Sequence, residues 1–318
     1  MANNFPKISV ALVTYNRANY LPKALESVLS QTFSNFEVIL VNNGSTDNTA
    51  ELCESYAKKD RRIKFINIPK NRGASIGRNI AIDESSCEYI TIVDDDDYCK
   101  EEMLEHLFNL ATEYNADISM CGSYNDFGDR LEPYFIFDEL LILDKAKGLD
   151  ELLKREKYNV APPTKLFKKN LFHNIRFPEG VLVDDIHVIY KVFSNADTVV
   201  AQGTPLYYFR KHDGNMTGFI QSNKLFPSLL DEYISMYKER TKYLSKKVPE
   251  ITDRARYSEW SYMISMCDKI IRYQCDGCEK QYAYMIKTLR ESYEEIWNMP
   301  FTTEKEKEFL KKIKFVEP

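Results

Sequence analysis

Four consecutive aspartates, Asp94, Asp95, Asp96 and Asp97, follow the run Tyr89-Ile90-Thr91-Ile92-Val93, which alternates and ends like a buried strand. Like charges packed this closely repel, which calls for a cation to hold them together in use. A hard divalent ion, Mg²⁺ or Mn²⁺, suits the role: it takes oxygen ligands and completes its shell with substrate phosphates. The chemistry indicated is that of phosphate. Taken alone, the same run also suits a solvated acidic turn capping a helix that starts near Lys100. A second acidic pair, Asp184-Asp185, opens an apolar segment. Adjacent carboxylates at a helix start can have pKa values set apart by burial, or can serve only as an N-cap and first-turn acid.

These residues need elements to hold them. Strand-like runs rich in Ile, Val and Phe fall at 8–14, 36–41, 63–68, 89–93 and 117–121, separated by helix-like segments at 21–30, 46–58, 74–84 and 101–113. Strict alternation implies right-handed βαβ units and an α/β fold with a mostly parallel, Rossmann-like sheet flanked by helices. Such sheets bind ligands beyond the carboxyl ends of their strands. Thr14-Tyr15-Asn16, Asn42-Asn43-Gly44-Ser45 and Asp94 to Asp97 all stand at such ends and should converge on one edge.

Beyond residue 125 the alternation breaks. A helix is expected near 145–155, a strand at 165–168, a helix opening at Asp184-Asp185 and a strand near 198–200. After Asp213-Gly214-Asn215 come helices at 225–244, 254–273, 279–297 and 304–314, which define a helical C-terminal region from 222 to 318. Its Tyr233, Met236, Tyr237, Tyr257, Tyr262, Met263 and Met266 recur at helical spacing, as core residues do. The basic, amphipathic stretch 305–315 suits helix packing first and a peripheral membrane contact second.

The 318 residues carry a net charge of −5, with 44% hydrophobic and 29% charged residues. This is a soluble globular composition, and its acidic balance excludes a general nucleic-acid binder. No secretory signal or ~18-residue apolar run is visible, so the chain is expected in the cytoplasm. Seven scattered cysteines argue against a disulfide framework. Cys275-Asp276-Gly277-Cys278 reads as a turn before a metal site, since no second pair lies at zinc spacing. The oligomeric state is not encoded in any of these features.

The segments 8–16, 27–32, 36–41, Gly44-Ser45-Thr46-Asp47 and 71–79, followed by Asp94-Asp95-Asp96, occur in an order and spacing that resemble the family 2 glycosyltransferases. The resemblance implies a GT-A fold, a nucleotide-sugar donor such as a UDP-sugar, Mn²⁺ or Mg²⁺, and inverting glycosyl transfer. It places Thr14, Tyr15, Asn16, Asn42, Asn43, Arg78, Asp94 and Asp95 at the donor, with Asp94 near the ribose and Asp96 on the metal. Asparagine stands at 42 and 43 where the family usually has an acid, and an amide can both donate to and accept from a base edge.

The stretch 177–186 resembles the family segment ending in an acidic pair, which makes Asp185 the base for the acceptor hydroxyl. The stretch 207–217 resembles a closing loop, so that Arg210 or His212 reaches the diphosphate or the metal. Lys165 stands at a family-like position with an open role. The acceptor expected is a glycan or lipid-linked glycan. The rivals are a sugar-nucleotide nucleotidyltransferase, which would carry a Gly-rich loop where Thr14-Tyr15-Asn16-Arg17-Ala18-Asn19 has no glycine, and a non-catalytic nucleotide-sugar-binding protein of the same fold.

Overall fold

The computed structural model describes residues 6–215 and 225–314. They form two compact units, 1–212 and 213–318. Met216 and Thr217 of the expected closing loop, and the expected domain boundary at 221/222, lie outside the described residues.

The first unit is built on a ten-stranded sheet. β1 (Ile8–Thr14), β2 (Phe36–Asn43), β3 (Ile63–Ile68) and β4 (Tyr89–Ile92) are joined through α1 (Leu21–Leu29), α2 (Thr49–Lys59) and α3 (Ala74–Glu84). They pair in parallel in the order β3-β2-β1-β4. The side chains of β1 are nearly all buried, as a parallel sheet covered on both faces requires. In α1, Leu21, Ala24, Leu25 and Val28 bury one helical stripe, and Pro22 sits in the first turn, where no N–H is needed.

Past β4 the parallel pattern gives way. β5 (Tyr98–Cys99), α4 (Met103–Glu113), β6 (Ile118–Asp126), β7 (Leu131–Tyr134), β8 (Leu140–Asp144), α5 (Lys145–Lys154), β9 (Lys165–Lys168), α6 (Asp185–Phe193) and β10 (Thr198–Arg210) complete the unit. β9 is antiparallel to both β4 and β6, between which it is inserted. β6 and β10 pair in parallel, whereas β5, β7 and β8 join antiparallel. These three strands escape a pattern reading. β5 has only two residues, and β7 and β8 are largely exposed, so neither shows a buried face.

Between β7 and β8 the chain crosses the sheet where two strands lack side chains. A Cβ on Gly122 would lie 2.7 Å from the Phe135 carbonyl oxygen, and one on Gly203 would lie 2.2 Å from the Phe137 nitrogen. Only glycine admits so close a backbone approach.

The second unit is helical: α7 (Pro227–Lys247), α8 (Thr252–Tyr273), α9 (Glu279–Glu291), α10 (Tyr293–Asn298) and α11 (Glu304–Lys314). The single helix expected over 279–297 is interrupted at Ser292. Met236, Tyr237 and Met263 are buried, and Tyr262 stacks on Tyr237 at 4.6 Å and on Tyr233 at 5.4 Å. In α11 the apolar face, Phe309, Leu310 and Ile313, is buried within this unit, as helix packing requires. None of the seven cysteines forms a disulfide, and Gly277 turns the chain at φ +77 between α8 and α9. Among the described residues no helix is long and apolar enough to cross a membrane.

Candidate functional site

The acidic run turns sharply off the end of β4, with the Asp97 amide donating to the Asp94 carbonyl at 3.2 Å. Its fourth member faces inward. Asp97 is 4% exposed and accepts from the Tyr207 hydroxyl and the Arg210 amide, each at 2.9 Å. Burial and the neighbouring aspartates raise its pKa well above the usual range. The Tyr207 oxygen also accepts from the Asp94 amide at 3.2 Å, so β10 pins the turn at both ends. Asp97 is therefore an anchor, and Asp94, Asp95 and Asp96 are left partly open.

Asp96 faces His212, with Oδ2 to Nε2 at 3.1 Å, and the imidazole stacks on Tyr20 at 4.2 Å. Arg17 approaches the same group, 3.9 Å from Asp96 and 4.0 Å from Asp95. Two donors at about 2.1 Å from one octahedral ion stand about 3.0 Å apart when they are at right angles. A carboxylate and an imidazole at this separation are donors of a kind and spacing that a hard divalent ion would accept. Among the described residues no third His, Cys, Asp or Glu joins them. Burial, with the charge of Asp96 beside it, pushes Asp95 up to about 7.

Arg210 does not reach outward. Its guanidinium donates to the Asp96 carbonyl and, at 3.0 Å, to the Tyr20 carbonyl, tying the acidic turn to the start of α1.

The loop after β1 is clasped to the loop after β2. The Asn16 amide donates to Ser45 Oγ at 3.0 Å, and its side chain accepts from the Thr46 amide at 2.8 Å, with Asn16 itself at φ +52. Thr14 is buried at 1% exposure, whereas Tyr15 is exposed.

Asn42 and Asn43 reach the expected strand end but turn inward. Asn42 Nδ2 donates to Asn67 at 2.7 Å, and its oxygen accepts from Ser45 Oγ. Asn43 Nδ2 donates to the Gly73 carbonyl at 2.9 Å and to Asn71 at 3.2 Å, and its oxygen accepts from the Arg72 amide. With 1% and 2% exposure they brace the loops that flank the site rather than offering free amides to a base.

Arg78, on α3, lies between the two acidic clusters. It pairs with Asp184 and, at 3.3 Å, with Asp94. Burial opposes its charge, but the facing carboxylates raise its pKa. Asp184 also accepts from Ser75 Oγ at 3.2 Å. Its neighbour is different. Asp185, the first residue of α6, has a buried Oδ1 with no hydrogen-bond partner among the described residues. Burial first, and the Asp184 charge second, push its carboxyl up to about 7. A carboxylate poised near neutrality with a free oxygen can take a proton.

The sequence assigned no role to Tyr207, Tyr20, Arg17 or Ser75, although Tyr207 and Ser75 lie within the family-like stretches 207–217 and 71–79. Tyr207 and Tyr20 are ordinary aromatic residues in their segments, and only the paired strands bring β10 to the acidic turn.

A family model described as glycosyl transferase family 2 matches residues 9–176. The Streptococcus pneumoniae glycosyltransferase GlyG is 33% identical over 218 residues, which are 66% of this chain and 72% of that protein. GlyA of the same organism is 32% identical over 235 residues, 71% of this chain but only 33% of its own length. The crystal structure of S. aureus TarS 1–349 in complex with UDP-GlcNAc superposes with a TM-score of 0.73 at 21% identity, covering 90% of this chain and 81% of that one. The chain belongs to glycosyltransferase family 2: it is a transferase with a GT-A fold.

Proposed function

We propose that this glycosyltransferase moves a sugar, with inversion, from a UDP-sugar to a hydroxyl of a glycan or lipid-linked glycan, with Mn²⁺ or Mg²⁺ as cofactor. The observation that carries the reading is Asp185: a carboxylate with an unpartnered buried oxygen and a pKa near 7, joined to the acidic turn through Asp184, Arg78 and Asp94. A protein that only binds nucleotide sugars has no use for such a base.

Asp185 takes the proton as the acceptor oxygen attacks the anomeric carbon from the face opposite the diphosphate. The bond from that carbon to the phosphate oxygen breaks, and its electron pair leaves with UDP. Asp96 and His212 are the groups that would hold the ion. When bound, the ion neutralises charge growing on the diphosphate. Arg17 and Arg78 add fixed positive charge beside the acidic turn. The uridine assignment rests on the UDP-GlcNAc complex of a protein with the same fold. The test is thermal stabilisation by a panel of nucleotide sugars with and without Mn²⁺, since ligand at ~100 times Kd adds about 2.7 kcal/mol. Equal stabilisation by uridine, cytidine, guanosine and thymidine compounds would remove the donor assignment, and stabilisation independent of Mn²⁺ would remove the metal.

A further inference from the structure

Three basic groups beside Asp96 meet at one aromatic ring. The Tyr20 ring stacks on the His212 imidazole, with centroids 4.2 Å apart and planes 18° apart. The guanidinium carbon of Arg210 lies 5.1 Å from the Tyr20 centroid and that of Arg17 lies 5.9 Å from it, both within cation–π range. Each of the three also reaches the acidic turn. His212 faces Asp96 Oδ2 at 3.1 Å, Arg17 lies 4.0 Å from Asp95 and 3.9 Å from Asp96, and Arg210 donates to the Asp96 carbonyl.

The backbone fixes Tyr20 for this role. At the entry to α1 its amide donates to the Arg17 carbonyl at 2.9 Å, and its own carbonyl accepts from Arg210 at 3.0 Å. The Arg17 amide in turn donates at 3.0 Å to Thr49 Oγ1, on the first residue of α2. The ring therefore stands between the loop after β1 and the end of β10. An imidazole nitrogen directs its lone pair in the plane of its ring, so whether Nε2 points at an ion depends on how that plane is turned. The stack on Tyr20 sets the turn, much as a hydrogen bond from behind orients a metal-binding histidine.

The geometry points to Tyr20 as a positioning residue for the donor site: its ring sets the plane of His212 and so aims Nε2 at the place beside Asp96 where a divalent ion would hold the diphosphate. Tyr20 acts through His212 and not as a ligand itself, and the part of it that matters is the ring, not the hydroxyl. The inference rests on the reading of Asp96 and His212 as the metal pair.

The experiment is calorimetry of UDP binding to the full chain, with Mn²⁺ and again in EDTA. Tyr20→Leu removes the aromatic face, and UDP affinity with Mn²⁺ should fall about tenfold, while the weaker affinity left in EDTA stays unchanged. Tyr20→Gln repeats the measurement should the leucine variant not fold. Tyr20→Phe keeps the ring and should bind within about twofold of the wild type. In a double-mutant cycle, adding Tyr20→Leu to His212→Ala should cost nothing further, because the group it positions is gone. Wild-type affinity in Tyr20→Leu overturns the inference and leaves the metal pair standing. So do a Tyr20→Phe variant as weak as Tyr20→Leu, an equal loss in EDTA, and losses that multiply in the double variant. If UDP binds the wild type no better with Mn²⁺ than in EDTA, the metal reading itself fails and the inference falls with it.

Discussion

The Arg78 guanidinium is ion-paired with Asp184 across 106 residues of sequence, fastening α3 to the first turn of α6. Both side chains are mostly buried, at 15% and 12% exposure. The pair occupies Asp184 and leaves its neighbour Asp185 as the carboxylate with a free oxygen. Two adjacent acids thus hold different positions: one is structural, the other is available to a proton.

Replacing Asp184 by Asn should therefore register first in stability. Removing one partner of a fully buried ion pair costs about 3–5 kcal/mol. Asp94 remains beside Arg78, so a loss of about 2 kcal/mol is expected in urea unfolding. A variant as stable as the wild type would show that the pair contributes nothing.

Asp185→Asn should leave UDP affinity nearly intact and lower transfer to the acceptor by ~10²-fold or more, since the amide cannot take the proton. Normal turnover in Asp185→Asn, beside an inactive but stable Asp184→Asn, would move the base to the other carboxylate.

The pH dependence follows from the same group. Burial pushes Asp185 up to about 7, and a base works only when ionised. Transfer should fall about tenfold per pH unit below roughly pH 6 and level off above neutrality. An activity profile flat between pH 5 and 8, measured at saturating donor and Mn²⁺, would contradict the assignment.

Asp96→Ala and His212→Ala should each weaken Mn²⁺-dependent binding of UDP, Asp96→Ala by ~10²-fold or more, because the carboxylate is the hard anionic donor of the pair. Calorimetry with Mn²⁺ and UDP reads this directly. Affinity unchanged in both variants rules out the site.

At positions 42 and 43 the structure redirects the expectation from base recognition to loop bracing. Asn43→Asp would set a carboxylate against the Gly73 carbonyl that now accepts from Asn43 Nδ2 at 2.9 Å. A cost of about 1–3 kcal/mol is expected, with no change in the ranking of uridine, cytidine, guanosine and thymidine diphosphates. An altered ranking with stability preserved would return Asn43 to the base.

By itself the sequence determined the parallel half of the sheet, because β1 to β4 and α1 to α4 are local elements whose periodicity is written in consecutive residues. It also placed Asp94 to Asp97 at the end of a strand, Arg78 on the helix after β3 and the Asp184-Asp185 pair at the start of a later helix. What it left open was which member of each acidic cluster faces inward. Asp97 and Asp184 are held by Tyr207, Arg210, Ser75 and Arg78, partners at least 100 residues distant in the chain. The inward turn of Asn42 and Asn43 depends in the same way on loops that meet only when the sheet is assembled. Residue type limits what a side chain can do, but its free atoms are those left over after packing and hydrogen bonding, and that remainder exists only in the folded chain.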